Sequence, residues 1–228
     1  MREGRESLFS VNGLVRRIHR RHVACAAVQA RGVLLDVGCG RTPYREVFAQ
    51  VDRYVGLDGK RESRVDVYGD GMALPFRDGC VDTVFCSQVL EHVPEPSQMM
   101  GEMVRVLKKG GLLILTAPHM WGIHEEPHDY FRFTGYGLAY LARKSGLEEV
   151  TVRPMAGYWV TAGARLCYYV QLFEQGPLIP WVRLLYFLIQ WMAWGLDRIH
   201  RVEGDTWNFI LLGRKGLTVT LPRDKTTT

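Results

Sequence analysis

The 228-residue chain reads as an α/β protein, a mostly parallel sheet covered by helices on both faces. Three observations predict this. Short β-branched runs alternate with helical stretches along the chain. A Gly-x-Gly turn at Gly38 and Gly40 directly follows the first such run. Hydrophobic residues make up 47% of the chain, enough for a sizeable core.

In chain order, residues 1–32 are expected to form a basic helical arm. This arm holds seven arginines against two glutamates, an excess that equals the net charge of +5 and leaves the remainder close to neutral. Its arginines interrupt any apolar leader, so a cytoplasmic protein is expected. Cys25, Cys39, Cys80, Cys86 and Cys167 show no CxxC and no paired spacing, which argues for reduced thiols and against a zinc site or disulfide framework. Seven strands are expected over residues 33–37, 54–58, 65–67, 81–87, 112–117, 149–153 and 207–213. Residues 95–108 read as an amphipathic helix closed by Gly110 and Gly111, with lysines where the helix dipole favours cations. A second helix starts at Thr134 as N-cap and runs to Ser145 and Gly146. The core therefore spans 33–156. Residues 157–203 are an apolar, aromatic helical insertion, 204–216 the last sheet strand and 217–228 a polar tail.

In the stretch "LLDVGCGRTPY", a buried strand delivers its last residues into glycines whose missing Cβ atoms let a ligand approach the backbone. A Gly-x-Gly alone is as often an ordinary tight turn. A dinucleotide loop needs a third glycine where Pro43 stands, which disfavours NAD. Asp36, two residues before the glycines, repels phosphates and suits a cationic ligand. Asp58 ends the next strand 18 residues after Gly40, where a carboxylate accepts the hydroxyls of an unphosphorylated ribose. Asp70 and the backbone of Gly71 or Met72 are placed to meet an adenine edge.

The run of Asp36 to Gly40, Asp58, Gly69-Asp70 with Leu74-Pro75-Phe76, Asp82 followed by "TVFCSQVLEHV", and "RVLKKGGLLILTAP" resembles the successive motifs of class I S-adenosylmethionine-dependent methyltransferases. The subgroup resembled is the broad type 11 one, which also takes in ubiquinone and menaquinone methyltransferases. The match covers about residues 33–146 in order. It implies a Rossmann-like seven-stranded sheet whose last strand inserts antiparallel beside the fifth, and S-adenosylmethionine as cofactor. By the same resemblance Gly38 and Gly40, with Asp36 and the intervening Cys39, line the amino-acid end of the cofactor. Asp58 holds its ribose, Asp70 its adenine end, and Gln88 faces its methionine part.

Methyl transfer from a sulfonium chiefly needs alignment and exclusion of water, and needs a base only where the acceptor must lose a proton. The stretch "PHMWGIHEEPHDYFRFT" follows the fifth strand at the carboxyl edge of the sheet, where α/β ligands sit. His119, His124 and His128 are the catalytic candidates there. His92, Tyr130 and Arg132 are candidates for holding the acceptor, Arg132 by pairing with an anion. A lid whose histidines only fix its shape is the competing reading, and no metal is expected because the spacings are not those of HExxH.

Residues 177–194 hold one charge, Arg183, and three tryptophans. Because the last strand must return to the same sheet, a single membrane crossing is disfavoured. An interfacial helix on an anionic inner membrane surface, a dimer helix, or a cap over an apolar acceptor remain. The expected function is methyl transfer to a small-molecule or lipid- or glycan-linked acceptor. An RNA methyltransferase gripping with the basic arm is an alternative, weakened by the lack of an RNA-binding module, so nucleic acid is not the expected partner. A non-catalytic cofactor-binding module is another.

Overall fold

A computed structural model describes residues 6–59 and 65–217. The expected tail lies outside the described residues, apart from Leu217.

Seven strands form one sheet in the order β3-β2-β1-β4-β5-β7-β6. They are β1 (Val33–Val37), β2 (Arg53–Asp58), β3 (Val67–Tyr68), β4 (Val81–Ser87), β5 (Leu107–Pro118), β6 (Leu147–Pro154) and β7 (Asn208–Lys215). β1 pairs in parallel with β2 on one side and β4 on the other. β7 runs antiparallel between β5 and β6. The chain direction thus reverses outward from β1 and β4, and the crevice at their carboxyl ends is where ligands of such sheets bind.

Alternation along the strands supplies both faces of the sheet. Leu35, Val37, Val84 and Leu113 face helix α2 (Pro96–Val106), whose Met99, Met100 and Met103 are fully buried, and helix α3 (Gly135–Lys144). Leu34, Phe85, Leu112 and Ile114 face helix α1 (Gly13–Ala27) and helix α4 (Tyr158–Val170) through Leu14, Val15, Val23 and Val160. Helix α5 (Ile179–Ile199) packs on α4 through Val182, Tyr186 and Ile189. Gly163 allows that approach, since a Cβ there would stand 2.6 Å from the Ala193 Cβ. Asp197 of α5 accepts from Gly157 N at 3.1 Å and so puts a carboxylate at the N-terminus of α4.

One helix and the strand after it differ from the expectation. The helix expected to reach residue 108 ends at Val106, because Leu107 already pairs with Val81 and starts β5 five residues early. Lys108 accordingly serves Asp82, at 2.8 Å from both carboxylate oxygens, rather than a helix end. The 157–203 insertion is two helices joined by 3-10 turns, and among the described residues no helix is long and apolar enough to cross a membrane. The arm is not a freely solvated helix. Its Arg16, Arg17 and Arg21 are exposed, yet its other face is core, and Gln190 of α5 accepts from Leu14 N at 2.6 Å.

Candidate active site

The tips of β1 and β2 are tied together by backbone. Gly38 N and Cys39 N donate to Leu57 O at 2.9 and 3.0 Å, and Gly40 N donates to Asp58 Oδ2 at 2.8 Å. Gly38 and Gly40 hold φ of +74° and +51°, the left-handed region that favours glycine. A Cβ on Gly38 would stand 2.3 Å from Val89 Cγ2, whereas one on Gly40 would meet nothing within 4 Å among the described residues. Gly38 is therefore a packing contact, and Gly40 is the wall of an open space. Cys39 contributes backbone only: its Sγ lies under the loop, 2.8 Å from where a Gly56 Cβ would be, and burial pushes the thiol up to about 12.

Asp36 is 2% exposed and accepts a hydrogen bond from the Tyr54 hydroxyl. Burial pushes its carboxyl up to about 7, reinforced by the nearby Asp58. Asp70 is exposed and accepts from Met72 N at 2.8 Å, shaping the turn beyond β3, while Gly71 lies against Met99.

A polar chain runs beneath the carboxyl ends of β4 and β5. Gln88, at φ +58°, donates from Nε2 to Thr116 Oγ1 at 3.1 Å and accepts from Asn208 Nδ2 at 2.8 Å. Thr116 Oγ1 is also 2.9 Å from Ser87 Oγ and 3.2 Å from His19 Nε2, and Tyr44 Oη lies 2.7 Å from His19 Nδ1. His19 comes from α1 and is fully enclosed, so desolvation lowers it to about 4 and keeps it neutral at pH 7.

The loop after β5 is built around Arg132. Its guanidinium grips Asp129 through two 2.6 Å bonds and donates to Trp121 O, Gly122 O and Phe131 O. Asp129, 2% exposed, is held well below the usual carboxylate range by that grip. The anion partner expected for Arg132 is thus a carboxylate of this chain. Asp129 also accepts from His124 N at 2.8 Å. The ring of His124 meets that of His92 edge-on at 4.8 Å, and His92 Nδ1 lies 2.7 Å from His128 O. Tyr130 N and Phe131 N donate to Glu91 O, fastening the loop to the turn after β4.

The family model described as a methyltransferase domain matches residues 35–115. An uncharacterized methyltransferase of Mycobacterium avium is 33% identical over 160 residues, 58% of this chain and 63% of that protein. Residues 35–115 carry a methyltransferase domain of type 11. The curated relatives are longer than the match: the chain spans from about a third to under two thirds of their length. Among solved structures, the [4+2]-cyclase SpnF superposes with a TM-score of 0.61 at 20% identity, covering 88% of this chain and 81% of that one. Phosphoethanolamine N-methyltransferase 2 of Haemonchus contortus, solved in complex with S-adenosyl-L-methionine, gives 0.57 at 15%, covering 91% and 57%. At such identities these two establish the fold alone.

The methyltransferase domain contains Asp36, Gly38, Gly40, Asp58, Asp70, Gln88 and His92; the loop of 118–134, α1 and the α4–α5 pair lie outside the matched residues. Of the histidines singled out in sequence, the structure joins His92 to His124. His119 stands apart against the Phe209 ring on β7, and His128 is exposed, 3.1 Å from Tyr130 Oη. Sequence reasoning missed His19, Tyr44, Tyr54 and Asn208, which reach the site only through the tertiary fold. It also passed over Glu91, whose one signal was its place beside His92.

Proposed function

We propose that the chain transfers a methyl group from S-adenosylmethionine to a small or lipid-linked acceptor. The observation that carries this is the open space beside Gly40 among the described residues, with the Asp58 carboxylate bonded to Gly40 N and the buried Asp36 on the adjoining strand. The donor set fits a cationic nucleoside: Asp58, already ordering the loop through Gly40 N, accepts ribose hydroxyls, for a carboxylate takes up to about four hydrogen bonds. Asp36 stands at the amino-acid end, where a bound cation favours ionisation of its raised carboxyl, and the turn from Asp70 to Met72 presents backbone groups to the base. When bound, S-adenosylmethionine supplies an electrophilic methyl on a sulfonium. The chain positions the acceptor and excludes water around it. Gln88, oriented by Thr116 and Asn208, borders the methionine part, and the loop braced by Arg132 and Asp129 covers the edge where the acceptor enters. His119 is the group offered for a proton that must leave.

An apolar acceptor is favoured by the outer face of α5. Trp181, Leu184, Leu185, Leu188, Trp191 and Trp194 are all at least 41% exposed on it. Such a face suits an acceptor held at a membrane surface, with Arg198 beside Trp194.

Calorimetry with S-adenosylmethionine tests the cofactor, and transfer of labelled methyl to a panel of free and lipid-linked oxygen, nitrogen and carbon acceptors tests the reaction. Binding without transfer to any acceptor class would leave a cofactor-binding module and remove the enzyme reading.

A further inference from the structure

We propose that Glu91, His92 and His124 form a binding site for one divalent transition-metal ion. One ligand atom from each lies within 4.8 Å of the other two. Glu91 is 0% exposed, and neither of its carboxylate oxygens has a hydrogen-bond partner among the described residues. A buried carboxylate left unpaired is costly unless a cation or proton occupies the place it addresses.

The histidines are set to supply bare nitrogens. His92 Nδ1 is 2.7 Å from His128 O, and a carbonyl only accepts, so Nδ1 carries the proton and Nε2 presents its lone pair 3.8 Å from Glu91 Oε1. His124 Nδ1 faces two acceptors, Gly122 O at 3.2 Å and Asp129 Oδ2 at 3.4 Å. Arg132 Nη2, at 3.3 Å, has only two hydrogens and makes shorter bonds with them, to Gly122 O at 2.7 Å and Asp129 Oδ2 at 2.6 Å. The proton on His124 therefore also sits at Nδ1, leaving Nε2 to ligate. Ligating histidines are held in this way, with the far nitrogen donating to a carbonyl or carboxylate. With both rings protonated at Nδ1, the carboxylate and the two Nε2 atoms are all acceptors, with no donor among them.

Two imidazoles and one carboxylate suit zinc, cobalt or iron in the divalent state and leave at least one position for an oxygen ligand. Tetrahedral bonds of about 2.1 Å put ligand atoms about 3.4 Å apart, so the cluster closes by roughly an ångström on loading. The site joins the turn after β4 to the loop after β5, so a bound ion would pin that loop at the carboxyl edge of the sheet.

The test is direct binding of Co²⁺ to the chelator-stripped full chain, read by visible absorption and displaced by Zn²⁺. It needs neither cofactor nor turnover, so its failure is distinct from failure of the methyl-transfer reading. The expected result is one equivalent with bands of a low-symmetry four- or five-coordinate ion, lost in Glu91→Gln, His92→Ala and His124→Ala and kept in His200→Ala. Should those three variants fail to fold, imidazole ring resonances of the Co²⁺-loaded wild type decide it: two paramagnetically shifted histidines support the site. No stoichiometric uptake at micromolar metal, or uptake unchanged in folded ligand variants, overturns the proposal and leaves a proton on Glu91 as the occupant.

Discussion

Gly40 N donates to Asp58 Oδ2 at 2.8 Å, so the turn after β1 is held open by the last residue of β2. Because no atom of the described residues lies within 4 Å of where a Gly40 Cβ would stand, Gly40→Ala costs about 1–2 kcal/mol of backbone strain and meets no clash among those residues. It places a methyl where the cofactor is proposed to lie. The expected outcome is a melting temperature lowered by a few degrees and calorimetric affinity for S-adenosylmethionine reduced more than tenfold. Gly38→Ala, driven against Val89, is expected to lose more stability than Gly40→Ala.

His19 sets an acid limit. Its value falls from 6.5 to about 4 on burial, so between those values the unfolded chain binds more protons than the folded one. Stability from this group is full above pH 6.5 and is lost as pH falls toward 4, up to about 3 kcal/mol by the shift. Urea denaturation of wild type and His19→Gln across that window is expected to show the variant with the shallower loss toward acid. Parallel curves refute the assignment.

Asp36 acts in the opposite sense. Its carboxyl rises from 3.8 to about 7 in the fold, so its contribution is full below pH 3.8 and is lost as pH climbs through 7. Asp36→Asn, which still accepts from Tyr54, is expected to gain on wild type as pH goes from 5 to 8. The same denaturation series reads the difference, and no relative gain by pH 8 would show the carboxyl ionised throughout.

The grip of Arg132 on Asp129 orders the loop that carries the candidate histidines. Lysine cannot reproduce two parallel bonds and three carbonyl contacts. Arg132→Lys is expected to cost about 2 kcal/mol, since the pair is only partly screened, and to raise hydrogen exchange at His124 N, which donates to Asp129. Unchanged exchange would mean the loop is held elsewhere.

The exposed face of α5 makes its own prediction. Replacing Leu184, Leu188 and Trp191 by serine removes side chains 41–60% exposed, so folding stability is expected to move little. Flotation with anionic liposomes is expected to fall sharply. Absence of flotation by the wild type ends the membrane-surface reading.

Much of the sheet is legible without coordinates, because β-branched runs of period two report burial directly. β1 and β4 begin and end where the residues say. The start of β5 is not legible: Leu107 sits in a helical pattern, and only its pairing with Val81 converts it to strand. Asp36, the glycines and Asp58 are readable because their chemistry rests on spacing within one βα turn and the next strand. His19 is not readable. Five arginine or histidine neighbours within residues 16–22 advertise a solvated helix, and burial of that one face appears only once the sheet lies beneath it.

The sequence by itself determined the seven-stranded α/β frame, the glycine turn and the acids at its strand tips, since those follow from local periodicity and short offsets along the chain. The tertiary structure alone decided which side chains meet. It drew His19 beneath the site and brought His124 to Glu91 and His92, because contacts across 30 or more residues depend on how strands are ordered in the sheet rather than on any pattern within one element.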